Sequence, residues 1–301
     1  MSTVEHVAQE GTMTATIPAP TAPLADPAVV VAAPAGTRRR RSPQNLVLPL
    51  AFLGVLLGAW YAVTYLVLAE DQRFLLPAPH VIVTDALLDS GSMSMIGQSL
   101  WRTIVVTFVG LALAIVVGMV WAVAMSQARW VERTLFPYAV ALQCIPILAL
   151  VPLLGFWFGF GFWPRVIVCV MIALFPIVSN TLFGLQSVDR GMHELFTLHG
   201  ASRLTRLLKL EFPAALPAIF AGFRISAGLS VVGAIVGDLF FRQGDPGLGI
   251  LLDNFRSRLQ GPQLFATILV ASGLGIAVFA LFGWIAKLAV GRWYDQSRDV
   301  V

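Results

Sequence analysis

Long apolar runs, divided by short polar stretches that hold nearly all of the charge, are the dominant pattern along this chain. A helix rises about 1.5 Å per residue, so about 20 apolar residues are needed to cross a hydrocarbon layer of about 30 Å. Six runs reach that length, at roughly 46 to 68, 99 to 125, 137 to 158, 164 to 186, 215 to 236 and 264 to 290. They are too long and too evenly apolar for the alternation of a β-barrel wall. The pattern therefore predicts an all-α integral membrane protein with six transmembrane helices.

Composition agrees: 57% of the 301 residues are hydrophobic and 12% are charged, where a soluble domain carries about 25% charged residues. The net charge of +4 does not mark a nucleic-acid surface, because the arginines gather at helix ends rather than along one face. They report topology instead. Arg38 to Arg41 precede the first run, whereas the connection 69 to 98 sets Glu70, Asp71, Asp85 and Asp89 against Arg73 alone. The positive-inside rule then puts the N-terminus in the cytoplasm, and six spans return the C-terminus there. Arg129, Arg133, Arg190, Arg203, Arg206, Lys209, Lys287, Arg292 and Arg298 fall on the same side.

This divides the chain into a disordered cytoplasmic tail (1 to 41), a first transmembrane helix with an external connection (42 to 98), a core transmembrane domain (99 to 291) and a cytoplasmic C-terminal tail (292 to 301). The arginines at 38 to 41 could mimic a twin-arginine export signal, but the run behind them is long enough to span and no Ala-x-Ala cleavage site follows. Most tryptophans lie near span ends, the position of interfacial anchors.

Three absences narrow the energy source. The only lysines, Lys209 and Lys287, follow Leu208 and Ala286, so no Gly-Lys-Ser/Thr step exists to cradle a nucleotide. Every Asp and Glu, including Asp238 near one end of the fifth run, maps to a tail, a loop or a helix end, which disfavours an ion-coupled carrier. His6, His80, His193 and His199 all lie outside the runs, and His193 and His199 lack a third ligand for a metal. Cys144 and Cys169 fall inside runs and read as small buried apolar residues. No catalytic cluster, metal site or cofactor is expected in this chain.

The interruption between the fourth and fifth runs is the one large feature that lipid cannot explain. Asp189 opens a helix, Gly200 breaks it, and Arg203, Arg206 and Lys209 recur every three residues along a second helix that Pro213 and Pro217 close. A Glu at 194, a Gly at 200 and a Pro at 213 resemble the "EAA" loop of ABC importer permeases. Further elements in matching order are Leu76-Pro77-Ala78-Pro79, Pro146 to Pro152, Phe156 to Gly161, Phe175 to Thr181 and Leu216 to Ile219. Over about residues 75 to 290 the chain resembles the inner-membrane permease subunits of type I ABC importers, in the branch of nitrate, sulfonate, taurine and thiamine-precursor systems.

The resemblance implies a multi-pass plasma (inner) membrane subunit that works as a homodimer with two copies of an ATPase and an external substrate-binding protein. It assigns Glu194, His199, Gly200, Ala201, Ser202, Arg203, Arg206 and Pro213 to a coupling loop seated in the ATPase. The two alanines that follow the Glu in the family are Leu195 and Phe196 here, which implies a reshaped ATPase groove. Gln143, Ser179, Asn180, Ser226 and Ser230 are the polar residues at membrane depth that could line a translocation route, with Gln143 and Asn180 favoured because an amide facing lipid is costly. Arg224 is expected to snorkel to the cytoplasmic surface. The cargo could be a sulfonate-like oxyanion or a pyrimidine-type vitamin precursor, and a self-contained carrier or channel is the alternative.

Overall fold

A computed structural model describes residues 44 to 241 and 244 to 291. The tails expected at 1 to 41 and 292 to 301, and the arginines in them, lie outside the described residues. Among the described residues there is no strand. The long helices are α1 (Gln44–Ala62, continued by a wide turn Val63–Val67), α2 (Ser90–Ser126), α3 (Arg129–Cys144), α4 (Ile147–Phe158) and α5 (Phe162–Gln186). They are followed by the short α6 (Arg190–Leu198), α7 (Arg203–Phe240), α8 (Leu248–Ser257) and α9 (Gly261–Val290).

Among the described residues five helices are long and apolar enough to cross a membrane, and six spans result if the bent pair α3 and α4 counts as one. That pair corrects the expected single rod at 137 to 158: the chain bends by 96° between Cys144 and Ile147. Pro146 supplies the cause, since it lacks an N–H and drives Ile145 into extended backbone (ψ 127°). A second correction concerns Pro213 and Pro217, which do not close a segment. The helix runs unbroken from Arg203 to Phe240, and a wide turn at Leu207–Glu211 absorbs the ring of Pro213.

The packed body begins at Ala51, and its centre is a three-helix seam of small residues. A Cβ on Gly233 would stand 2.8 Å from Cα of Cys169, and one on Gly237 3.1 Å from Cα of Arg165, so α7 and α5 touch backbone to backbone. Gly110 and Gly118 of α2 admit Cys169 and Ile177 of α5 in the same way. Ser226 Oγ donates to the Ala173 carbonyl at 2.6 Å, and the Cys169 thiol donates to the Ser230 carbonyl at 3.2 Å, tying α5 to α7 further. Cys169 is buried as expected, but Cys144 is exposed beside the bend.

These contacts run in one order, 165 with 237, 169 with 233 and 176 with 222, so α5 and α7 are antiparallel. The bundle accordingly has two ends. One, the cap end, carries α8 and the connections around 68 to 89, 159 to 161 and 244 to 260; the other, the loop end, carries α6.

Candidate functional site

At the loop end each local choice follows from the sequence. Asp189 caps α6 by accepting from the Gly191 N–H at 2.7 Å. The helix stops in a Schellman arrangement: Ala201 N–H donates to the Phe196 carbonyl and Gly200 N–H to the Thr197 carbonyl, both at 3.0 Å. That closure needs a left-handed residue, and Gly200 supplies it with φ +64°. Ser202 then caps the next helix through the Thr205 N–H at 3.2 Å.

The two arms of the bend are braced against each other. Arg206 Nη1 donates to Thr197 Oγ1 at 3.4 Å, and His193 Nδ1 lies 4.0 Å from a Glu211 carboxylate oxygen. His199 sits over its own helix end, with Nδ1 2.9 Å from the Leu195 carbonyl. Leu207 turns inward onto Leu185, Ala215 and Ile219, and Leu210 is buried. Glu194, Gly200, Ser202 and Arg203 are exposed, while Ala201, Arg206 and Pro213 are half-buried.

Large apolar side chains on this loop nevertheless face outward. Leu195 is 47% exposed, Leu198 85%, Leu204 64% and Leu208 58%. An open pocket of about 480 Å³ lies at the loop's base, between Met192, Lys209, Pro217 and Val290. A braced elbow that leaves leucines exposed is suited to seat in another protein.

The cap end is different, and its main feature escaped the sequence reading. Arg165 of α5 and Asp238 of α7 form an ion pair at 3.0 Å with side chains only 7% and 4% exposed. Asp238 also accepts from the Gly247 N–H at 3.2 Å and the Ile250 N–H at 2.9 Å, which makes it a cap for α8 supplied from another helix. Arg165 donates to the carbonyls of Phe241 at 2.8 Å and Asp245 at 2.9 Å. Thr103 of α2 accepts from the Leu248 N–H at 2.9 Å, and Arg102 donates to the Pro246 carbonyl at 3.2 Å. A Cβ on Gly247 would fall 2.7 Å from Asp238 Oδ2, so only glycine lets the carboxylate reach the helix start. The only signal in the sequence was an arginine and an aspartate at the ends of two apolar runs.

The expected route residues fall into two sets. Gln143 is exposed at the bend, and Ser179 and Asn180 are half-buried on α5, where Asn180 Nδ2 donates to the Pro176 carbonyl at 2.8 Å. Ser226 and Ser230 have no exposed surface, and Ser230 Oγ donates to the Ala227 carbonyl at 2.8 Å. Arg224 is exposed, and its guanidinium lies 4.1 Å above the ring of Phe279, beside Gly283 of α9. Outside the spans, Asp89 caps α2, and the backbone N–H and hydroxyl of Ser92 hold its carboxyl below the usual value.

A multi-pass helical bundle with an elbow of this kind is the architecture of a membrane transport subunit. Residues 114–292 match the family model for the binding-protein-dependent transport system inner membrane component, and the chain belongs to that family. It is 36% identical over 241 residues to the formylaminopyrimidine transport permease protein ThiX of Halalkalibacterium halodurans, covering 80% of this chain and 93% of the relative. It is 31% identical to the riboflavin transport system permease protein RibX of Chloroflexus aurantiacus, covering 82% and 90%. It is also 31% identical to the putative aliphatic sulfonates transport permease protein SsuC of Escherichia coli, covering 67% and 75%. The chain is therefore a permease subunit of an ABC importer for small solutes, set in the inner membrane, and not an enzyme. Its family works with a separate ABC ATPase and a substrate-binding protein.

Proposed function

We propose that the elbow from Glu194 to Pro213 is the coupling loop, which seats in the ATPase and carries its closure into α5 and α7. On this reading the loop end and both termini face the cytoplasm, α8 faces outward, and two copies of the chain meet two ATPase copies. The observation that carries the proposal is the braced bend at Gly200 with Leu195, Leu198, Leu204 and Leu208 left exposed. Leu195 and Phe196, bulky where the family has alanines, fit a wider groove in the partner.

The core, residues 99 to 291, encloses the route, with Gln143, Ser179 and Asn180 as its polar lining. Ser226 and Ser230 serve it indirectly by holding α5 to α7. For cargo we favour the pyrimidine-type precursor class, because the 36% relative is named for such a solute; a sulfonate-like oxyanion is the second choice, supported by the 31% relative named for aliphatic sulfonates.

The test is ATP hydrolysis by the complex purified with its own ATPase and binding protein. Glu194→Ala and Gly200→Val are expected to abolish stimulation of hydrolysis by the loaded binding protein. Unchanged stimulation in both would overturn the coupling role.

A further inference from the structure

Arg224 is a charge set well inside the apolar length of the bundle. Ser226 of α7 meets Ala173 of α5, and Gly222 meets Pro176, so the backbone of Arg224 is level with residues 174 and 175, near the middle of the 25-residue α5. Its guanidinium lies over Phe279, with Nε 3.2 Å from where a Cβ on Gly283 would stand. Those two residues precede Val290, which lines the pocket at the base of the elbow, by 11 and 7 positions, or about 10–16 Å of helix. Half of a hydrocarbon layer is about 15 Å thick, so the charge is held within it rather than at its edge.

No described residue neutralises it. Among the described residues the Arg224 guanidinium contacts the Phe279 ring and has no hydrogen-bond or ion-pair partner. Helices α2, α4, α5 and α9 carry no carboxylate; α3 has Glu132 in its first turn, and Glu211 and Asp238 of α7 stand 13 and 14 positions away, toward opposite ends. A second copy related by a two-fold axis along the membrane normal brings another Arg224 to the same depth, and again no carboxylate. An arginine at bilayer depth is costly against lipid and is retained where it faces water or a solute. A guanidinium stays charged in proteins, and its five N–H donors suit an oxygen acceptor.

We propose that Arg224 is a specificity-determining residue of the route: it holds solutes through an oxygen acceptor, an oxyanion more firmly than a neutral carbonyl, and turns cations away. A sulfonate offers the guanidinium fork two oxygens at once, whereas a formylated pyrimidine offers a single carbonyl. Ala221 and Gly228, three positions before and four after on the same side of α7, are small and leave room beside the guanidinium for such a group. The inference rests on the homodimer and route proposed above, and adds the residue that reads the cargo and the chemical class it takes.

The test uses the full complex in liposomes, with Cys144→Ala removing the exposed native thiol; Cys169 is buried. Ala221→Cys places a reporter one turn from Arg224 on the exposed side of α7, and its thiolate reacts with charged thiol reagents only in water. An anionic sulfonate methanethiosulfonate and a cationic trimethylammonium methanethiosulfonate are compared, each rate corrected for its reaction with free cysteine. Relative to Arg224→Gln, the arginine is expected to speed the anion about threefold and slow the cation about threefold, the effect of one charge at about 6 Å in water. Arg224→Lys should keep both effects. Butanesulfonate should slow labelling in the arginine and lysine chains and not in Arg224→Gln, and choline in none of them. A silent reporter, rates indifferent to Arg224→Gln, or protection by choline as strong as by butanesulfonate overturns the proposal. Asn180→Cys separates the two readings: its labelling beside a silent Ala221→Cys overturns this inference alone, whereas silence at both positions overturns the route as well.

Discussion

The two ends of the bundle solve the same problem, a helix turn at a membrane boundary, in opposite ways. At the cap end the first amides of α8 are met inside the chain by Asp238 and Thr103, and Arg165 holds Asp238 and the connection before α8. At the loop end the backbone is equally well capped, yet Leu198 and Leu204 stay exposed. The cap end is pinned by a buried ion pair, and the loop end by a brace at its surface.

The contrast breaks most readily at the buried pair. Asp238→Ala leaves the Arg165 charge uncompensated and frees the start of α8, a loss of about 3–5 kcal/mol, read as a large drop in thermal stability in detergent. The double change Arg165→Met with Asp238→Leu should cost less than Asp238→Ala alone, because no orphan charge remains. Equal losses would mean that capping of α8, rather than the charge, is what matters.

Next in size is the small-residue seam. Gly233→Leu pushes a side chain into the backbone of α5 at Cys169 and should cost about 1–3 kcal/mol by overpacking. Gly200→Ala at the loop end should cost only about 1 kcal/mol, the strain of a Cβ at φ +64°. A larger thermal loss at Gly200 than at Gly233 would contradict the division between a self-sufficient body and an exposed elbow.

The smallest effect belongs to Asp89. Its carboxyl is held below the usual value, so its cap on α2 is fully present above the ordinary carboxylate value and is lost as pH falls through the lowered one. Asp89→Asn keeps a capping oxygen and should remove that acid dependence. Melting curves across the acidic range check it.

What the sequence made legible differs between the same regions. The apolar runs at 164 to 186 and 264 to 290 ended within three residues of α5 and α9, because burial in lipid depends on local composition alone. Asp189 and Gly200 were readable for a similar reason: caps and left-handed turns are set by neighbours in the chain. The start of α2 was missed by nine residues, since Ser90 to Gln98 is polar and is held helical by the Asp89 cap and by packing of Ile96. The bend at Pro146 hid inside an unbroken apolar run. Arg165 and Asp238 meet across 73 positions, a pairing that no local pattern encodes.

The central claim is that the exposed leucines of the elbow are the seat of an ATPase. The most direct measurement is the amount of ATPase that copurifies with a Leu198→Asp, Leu204→Asp chain, compared with the unaltered chain. The account predicts that the ATPase is lost while the melting temperature of the permease itself is unchanged, as both side chains are exposed. An ATPase retained in full by that variant would contradict it.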